Sequence, residues 1–108
     1  MGGFGLLGRL SAKCVTMLHM PLTYDDDNLA KHKVSRDEVD EVLDGSMTAQ
    51  SELAASDRGN QRVMLIGFTL HGRLLEVGIE FFANRDHVFH ANDATEKYRQ
   101  EFERSIRP

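Results

Sequence analysis

The chain has 108 residues, with 13 Lys and Arg against 17 Asp and Glu, five histidines and one cysteine. The length predicts one domain with a single modest core, and a net charge of −4 argues against a protein that coats nucleic acid without regard to sequence. Cys14 alone makes neither an intrachain disulfide nor a multi-cysteine zinc site, which predicts a reducing, cytoplasmic setting.

Residues 1–20 are mildly apolar, but Arg9 and Lys13 interrupt what would be the core of a signal peptide. They read as a flexible extension ahead of a domain over residues 21–108. That domain carries 11 basic and 17 acidic side chains, so it is more acidic than the whole chain. No apolar run approaches the roughly 20 residues of a membrane span.

Pro21–Tyr24 has the character of an edge strand or a lead-in, because proline cannot donate to a sheet. Asp25, Asp26 and Asp27 suit the start of a short helix over Asp27–His32, where the dipole favours negative charge. As a calcium loop they lack spaced ligands and the turn glycine. Ser35 followed by Glu38 makes a capping box, flanked by Val34 and Val39 at the positions of a hydrophobic staple. With the stripe Val39, Val42 and Leu43, this predicts a helix over Ser35–Asp44, stopped by Gly45 in the left-handed region.

Met47–Gln50 reads as a short edge strand, and Ser56–Asn60 as a turn. Arg62–Thr69 is apolar on both faces, as in a strand covered on both sides. Leu70-His71-Gly72 is a hairpin connection with glycine for a positive φ. On Arg73–Phe81 alternation puts Leu75, Val77, Ile79 and Phe81 on one face, and Leu74, Glu76, Gly78 and Glu80 on the other. Asn84-Arg85-Asp86 turns into a third strand, His87–Ala91. Asp93 then caps a helix whose apolar stripe is Ala94, Tyr98, Phe102 and Ile106. The fold class is α+β: short N-terminal helices, an antiparallel meander of three to four strands, and a C-terminal amphipathic helix packed on it.

Several short segments resemble one family in order and spacing. Tyr24-Asp25-Asp26-Asp27-Asn28 with Lys31-His32 and Val34-Ser35 resembles the opening of the BrnT toxins of type II toxin–antitoxin pairs. Arg62, Ile66-Gly67, Gly72-Arg73-Leu74-Leu75, Val77, Ala91, Ala94-Thr95 and Tyr98 follow its pattern, so that the resemblance covers about residues 22–102. It implies a RelE-like fold and a metal-independent endoribonuclease that inhibits translation. It also implies a cognate antitoxin partner and an RNA substrate, and a homodimer stays open; no membrane partner and no cofactor are expected. By position it suggests His32, Arg62, Arg73 and His90 as catalytic or phosphate-contacting residues, and His87, Lys97 and Arg99 as RNA-binding. The chain departs from the pattern where the family has Ser-Ala-Arg and this sequence has His90-Ala91-Asn92, and where His87 replaces a strand arginine. A histidine supplies acid or base near neutrality but no fixed charge.

Each candidate also has a structural reading. His32 is a packed histidine, Arg62 and Arg73 are strand-end arginines, and Lys97 and Arg99 belong to a solvated helix face. His87 and His90, three apart on a strand, point to opposite faces. Glu76 and Glu80 form an acid–base pair, or face solvent or neighbouring arginines. The rival functional reading is a catalytically inactive binding module that keeps the fold and a protein partner.

Overall fold

The computed structural model describes residues 21–45 and 48–106. The extension expected over residues 1–20 lies outside the described residues. Eight elements follow in chain order: β1 Leu22–Tyr24, α1 Asp26–Lys31, α2 Arg36–Asp44, β2 Thr48–Leu53, β3 Arg62–Phe68, β4 Leu74–Phe81, β5 Asp86–Asp93 and α3 Glu96–Ile106.

The helix starts are where the local chemistry requires them. Asp25 accepts from the Asn28 N–H at 3.0 Å and caps α1. At α2 the capping box closes in both directions: Ser35 Oγ accepts from the Glu38 N–H, and Glu38 Oε1 accepts from the Ser35 N–H. Both staple residues, Val34 and Val39, are buried in the core. Gly45 departs from the expected left-handed stop. Its φ is −67° and ψ 144°, and α2 ends instead with the Gly45 N–H and the Thr48 hydroxyl both donating to the Val42 carbonyl. The left-handed backbone lies at Lys33 (φ 56°), in the α1–α2 connection, and at the turn residues Gly59 and Gly72.

The sheet has five strands in the order β1-β5-β4-β3-β2. The expected meander is present as β2 to β5, all antiparallel. The correction is at its edge, where β1 pairs parallel with β5, Leu22 opposite Asp86 and Tyr24 opposite Val88, so the sheet is mixed. Three residues carry too little periodicity to show this pairing in advance. Past the end of β1, α1 takes over the edge of β5: the Asp25 N–H donates to the Val88 carbonyl, and the Ala91 N–H donates to Asn28 Oδ1. Backbone groups of β5 that would stand open are satisfied in this way.

Two apolar layers result from the strand parity. Val63, Leu65, Leu75, Val77, Ile79 and Val88 meet Leu29, Val39 and Val42 of α1 and α2. On the other face Ala49, Met64 and Ile66 meet Ala94 and Phe102 at α3. Full burial of each large aliphatic contributes roughly 1.5–3 kcal/mol. The second layer is narrower than the first. α3 packs on β2 and β3, and the face of β4 and β5 beside it carries polar and aromatic groups instead. There, Glu76 and Glu80 are 4% and 3% exposed, so each carboxylate needs a partner. Neither faces solvent.

Candidate functional site

A β-bulge decides which histidines share a face. β4 and β5 pair Glu80 with His87 and Ile79 with Val88, then slip, so that Gly78 pairs with His90 and Glu76 with Asn92. Phe89 is the extra residue. Residues directly opposite in an antiparallel pair share a face, so His87 and His90 both lie on the face of Glu76 and Glu80. The expectation that they point apart fails because the bulge changes the parity of the strand. Phe89 fits because residue 78 is glycine: a Cβ there would meet the outer end of the Phe89 ring at 2.7–2.8 Å. The Arg62 guanidinium stacks over the same ring, 5.4 Å from its centroid.

At one end of this stripe, His90 Nε2 lies 2.9 Å from Glu76 Oε2. The other oxygen, Glu76 Oε1, accepts from the Thr95 N–H at 2.7 Å, just before α3. The carboxylate is therefore anchored on both oxygens. A carboxylate acceptor selects the tautomer with the proton on Nε2, which leaves Nδ1 as the basic nitrogen of the ring. His32, at the end of α1, brings its ring edge-on to His90 with centroids 5.8 Å apart. Two imidazoles from distant parts of the chain, one backed by a buried glutamate, meet at this point.

Arg73 belongs to the same end but is committed. Its Nε donates to Asp93 Oδ1 at 2.7 Å, Nη1 to the Lys33 carbonyl at 2.8 Å and to both Glu38 oxygens at 3.2 Å, and Nη2 to the His32 carbonyl at 3.2 Å. It fixes the backbone of His32 and the left-handed turn at Lys33. With four of its five N–H groups engaged, its place is that of a positioning residue, and one Nη2 N–H remains for any further acceptor. Asp93, expected to cap α3, is Arg73's partner instead. Arg73 holds the Asp93 carboxyl below its ordinary range, and Glu38 is lowered by its Ser35 backbone hydrogen bond and by Arg73.

The other end centres on Glu80. Arg58 donates to both its oxygens, at 2.8 and 3.2 Å, and Asn60 Nδ2 donates at 2.9 Å. Arg62 and His87 sit opposite Glu80 on the two neighbouring strands. His87 Nδ1 and the Thr23 hydroxyl share a hydrogen bond of 2.7 Å, and Arg62 Nε donates to the Ala54 carbonyl. Phe82 lies next to this group, its ring 6.3 Å from His87 and covered by Arg85 at 4.0 Å and Arg58 at 5.2 Å. Lys97 and Arg99 are exposed on α3, which follows the end of β5 remote from His87. The expected RNA-binding trio is thus divided between the two ends.

The Arg58 hydrogen bonds, helped by Asn60 and Ser56, hold the Glu80 carboxyl down at about 2 against an ordinary 4.5. A lowered folded value stabilises the fold fully above pH 4.5, and the contribution is lost as pH falls through 4.5 towards 2. Asp26, Glu38 and Asp93 are shifted in the same direction. Urea midpoints measured across this window should therefore fall steeply in the native chain and less steeply in Glu80→Gln. Parallel curves would refute the assignment.

Arg58, Arg85 and Phe82 are the residues of this face that the sequence does not single out, whereas Glu76 and Glu80 stand out in it as a pair. Glu76 and Glu80 were visible as two charges on an otherwise apolar strand, which is the signal that they are buried and paired. Arg58, Arg85 and Phe82 lie in turns and have no periodic signal. Among the described residues no group of three or more His, Cys, Asp and Glu is placed to hold a metal ion, and no helix is long and apolar enough to cross a membrane. Fold and site together define an α+β domain whose half-open sheet face carries a glutamate-backed histidine pair at one end and an arginine–phenylalanine cluster at the other. No family model and no curated protein matches the chain.

Proposed function

We propose that the chain is the toxin component of a type II toxin–antitoxin pair, a BrnT-like endoribonuclease that acts on RNA without a metal and is neutralised by a cognate antitoxin in the cytoplasm. The observation that carries the reading is the His32–His90 pair backed by Glu76.

RNA cleavage of this kind moves two protons. A base takes the proton of the 2′-hydroxyl as that oxygen attacks phosphorus, and an acid protonates the 5′-oxygen as the P–O bond breaks. The products are a 2′,3′-cyclic phosphate and a 5′-hydroxyl. His90 Nδ1 fits the base, because Glu76 stabilises the imidazolium that forms. His32, with its ring alongside, fits the acid, and Arg62 beyond Phe89 fits the cation that meets phosphoryl charge. The histidines answer the departure from the family pattern: proton transfer replaces the fixed charge that Asn92 does not supply. His87, at the Glu80 end, lies on the path of the RNA rather than at the reacting phosphate, and Lys97 and Arg99 flank the histidine end from α3. Arg73 serves the site through His32.

Removing one partner of an acid–base pair costs 10²–10⁴-fold in rate. His90→Ala and His32→Ala should each lower cleavage of a fluorogenic RNA by that order, with EDTA without effect on the native enzyme. His90→Ala cleaving as fast as the native chain removes the histidine assignment. Native protein that leaves RNA intact and does not arrest growth on expression leaves the non-catalytic binding module as the reading.

A further inference from the structure

The cleavage chemistry uses the histidine end of the stripe together with Arg62, and leaves Arg58, Arg85 and Phe82 at the Glu80 end without a task. That cluster is unusual for an acidic chain. Arg58 and Arg85 share one aromatic ring, Phe82, and Arg58 also pairs with Glu80, which is sealed from solvent while Arg58 remains 63% exposed. Asp57, in the same turn as Arg58, is a second carboxylate that acts on it. Asp86, next to Arg85, pairs with Phe81 and so faces the opposite side of the sheet. Among the described residues Arg85 Nη1 donates to the Asn84 side-chain carbonyl at 3.3 Å, and its guanidinium has further N–H groups beyond that bond. The guanidiniums are also oriented: Arg58 and Arg85 lie over the Phe82 ring, and Arg62 over Phe89. An aromatic ring beneath a guanidinium holds its plane and leaves the edges to donate.

Planar cations with free N–H edges, alternating with aromatic rings, match the two repeating features of an unpaired nucleic acid strand. Phosphate oxygens accept bidentate guanidinium hydrogen bonds, and splayed bases stack on aromatic rings and on guanidinium planes. Glu76 and Glu80 are four residues apart on β4, so the two ends are separated by roughly 13 Å along the strand. Phe89 and Arg62 lie between them. We propose that Arg58, Arg85 and Phe82 form a subsite for single-stranded RNA flanking the scissile phosphate, with Arg58 and Arg85 on its phosphates and the bases stacked over the platform carried by Phe82. The subsite rests on the ribonuclease reading, and binding can be measured apart from cleavage.

The probe is a short fluorescein-labelled single-stranded RNA bearing 2′-O-methyl groups, which removes the nucleophile and so isolates binding. Fluorescence anisotropy at several salt concentrations should show Arg85→Ala weakening affinity about three- to tenfold and making the salt dependence shallower by roughly 0.7 in log–log slope. Phe82→Ala should weaken it roughly tenfold through lost stacking, while Arg104→Ala, on α3, binds as the native chain does. A duplex of the same sequence should bind more weakly than the single strand. With unmodified RNA, Arg85→Ala should raise KM and keep kcat. The proposal is overturned if Arg85→Ala and Phe82→Ala bind the probe with native affinity and salt slope, or if the duplex binds at least as tightly. Native cleavage with an unchanged KM in Arg85→Ala removes the subsite and leaves the nuclease. Arginine-dependent binding by a native chain that cleaves nothing removes the nuclease and leaves the subsite.

Discussion

Arg73→Ala should be the most destabilising single change among the charged residues, at about 2–3 kcal/mol, read as a lowered urea midpoint. The guanidinium joins three pieces of chain: the α1–α2 turn through two carbonyls, the α2 capping box through Glu38, and the end of β5 through Asp93. Removing it leaves two carboxylates and two carbonyls without their donor. It also releases Lys33, whose φ of 56° is uncommon for a residue with a side chain. The loss is smaller than for a fully buried pair because Arg73 is 27% exposed and Asp93 64% exposed, so water replaces part of what is removed. Arg73→Lys should recover less than half of the loss, since one ammonium cannot span acceptors arranged around a planar fork. Because the turn carries His32, cleavage should fall further than stability alone explains, at temperatures where the variant is fully folded. A midpoint equal to the native one would show that the four contacts contribute nothing net.

The second large effect is expected at Gly78. Gly78→Val places a branched side chain where the outer end of the Phe89 ring lies, and even a lone Cβ would approach it to 2.7 Å. The strand is central and paired on both sides, so the backbone has little room to retreat, and the ring must swing out. Overpacking of this kind costs about 1–3 kcal/mol. It should also remove the Arg62–Phe89 stack and displace His90, the next residue in the bulge. A double-mutant cycle isolates the cause: in a Phe89→Ala background Gly78→Ala should be nearly neutral, whereas alone it should destabilise. Equal costs in the two backgrounds would mean that the ring and the glycine do not depend on one another.

Much of the fold could be read from short-range patterns because the forces behind it act locally. The capping box at Ser35 and Glu38, the staple of Val34 and Val39 and the alternation on β4 each bring their partners together within a few residues, and each is present as expected, whereas the expected stripe on α3 holds at Tyr98 and Phe102 and leaves Ile106 48% exposed. Gly72 takes its positive φ for the same reason. Gly45 does not, because Thr48, just past α2, supplies the donor that ends the helix.

What pattern could not decide was set by contacts between distant segments. β1 is too short to declare its partner, and only the open edge of β5 makes it a parallel fifth strand. The bulge at Phe89 depends on a glycine in the neighbouring strand, and it alone puts His87 and His90 on one face. Arg73 reads as a surface arginine until its acceptors arrive from residues 32, 33, 38 and 93. The amino-acid sequence by itself determined the helices, the meander and the two charges on β4. Tertiary structure alone decided that Glu76 is buried against His90, with His32 alongside, because a carboxylate four-hundredths exposed must find its partner through space rather than along the chain.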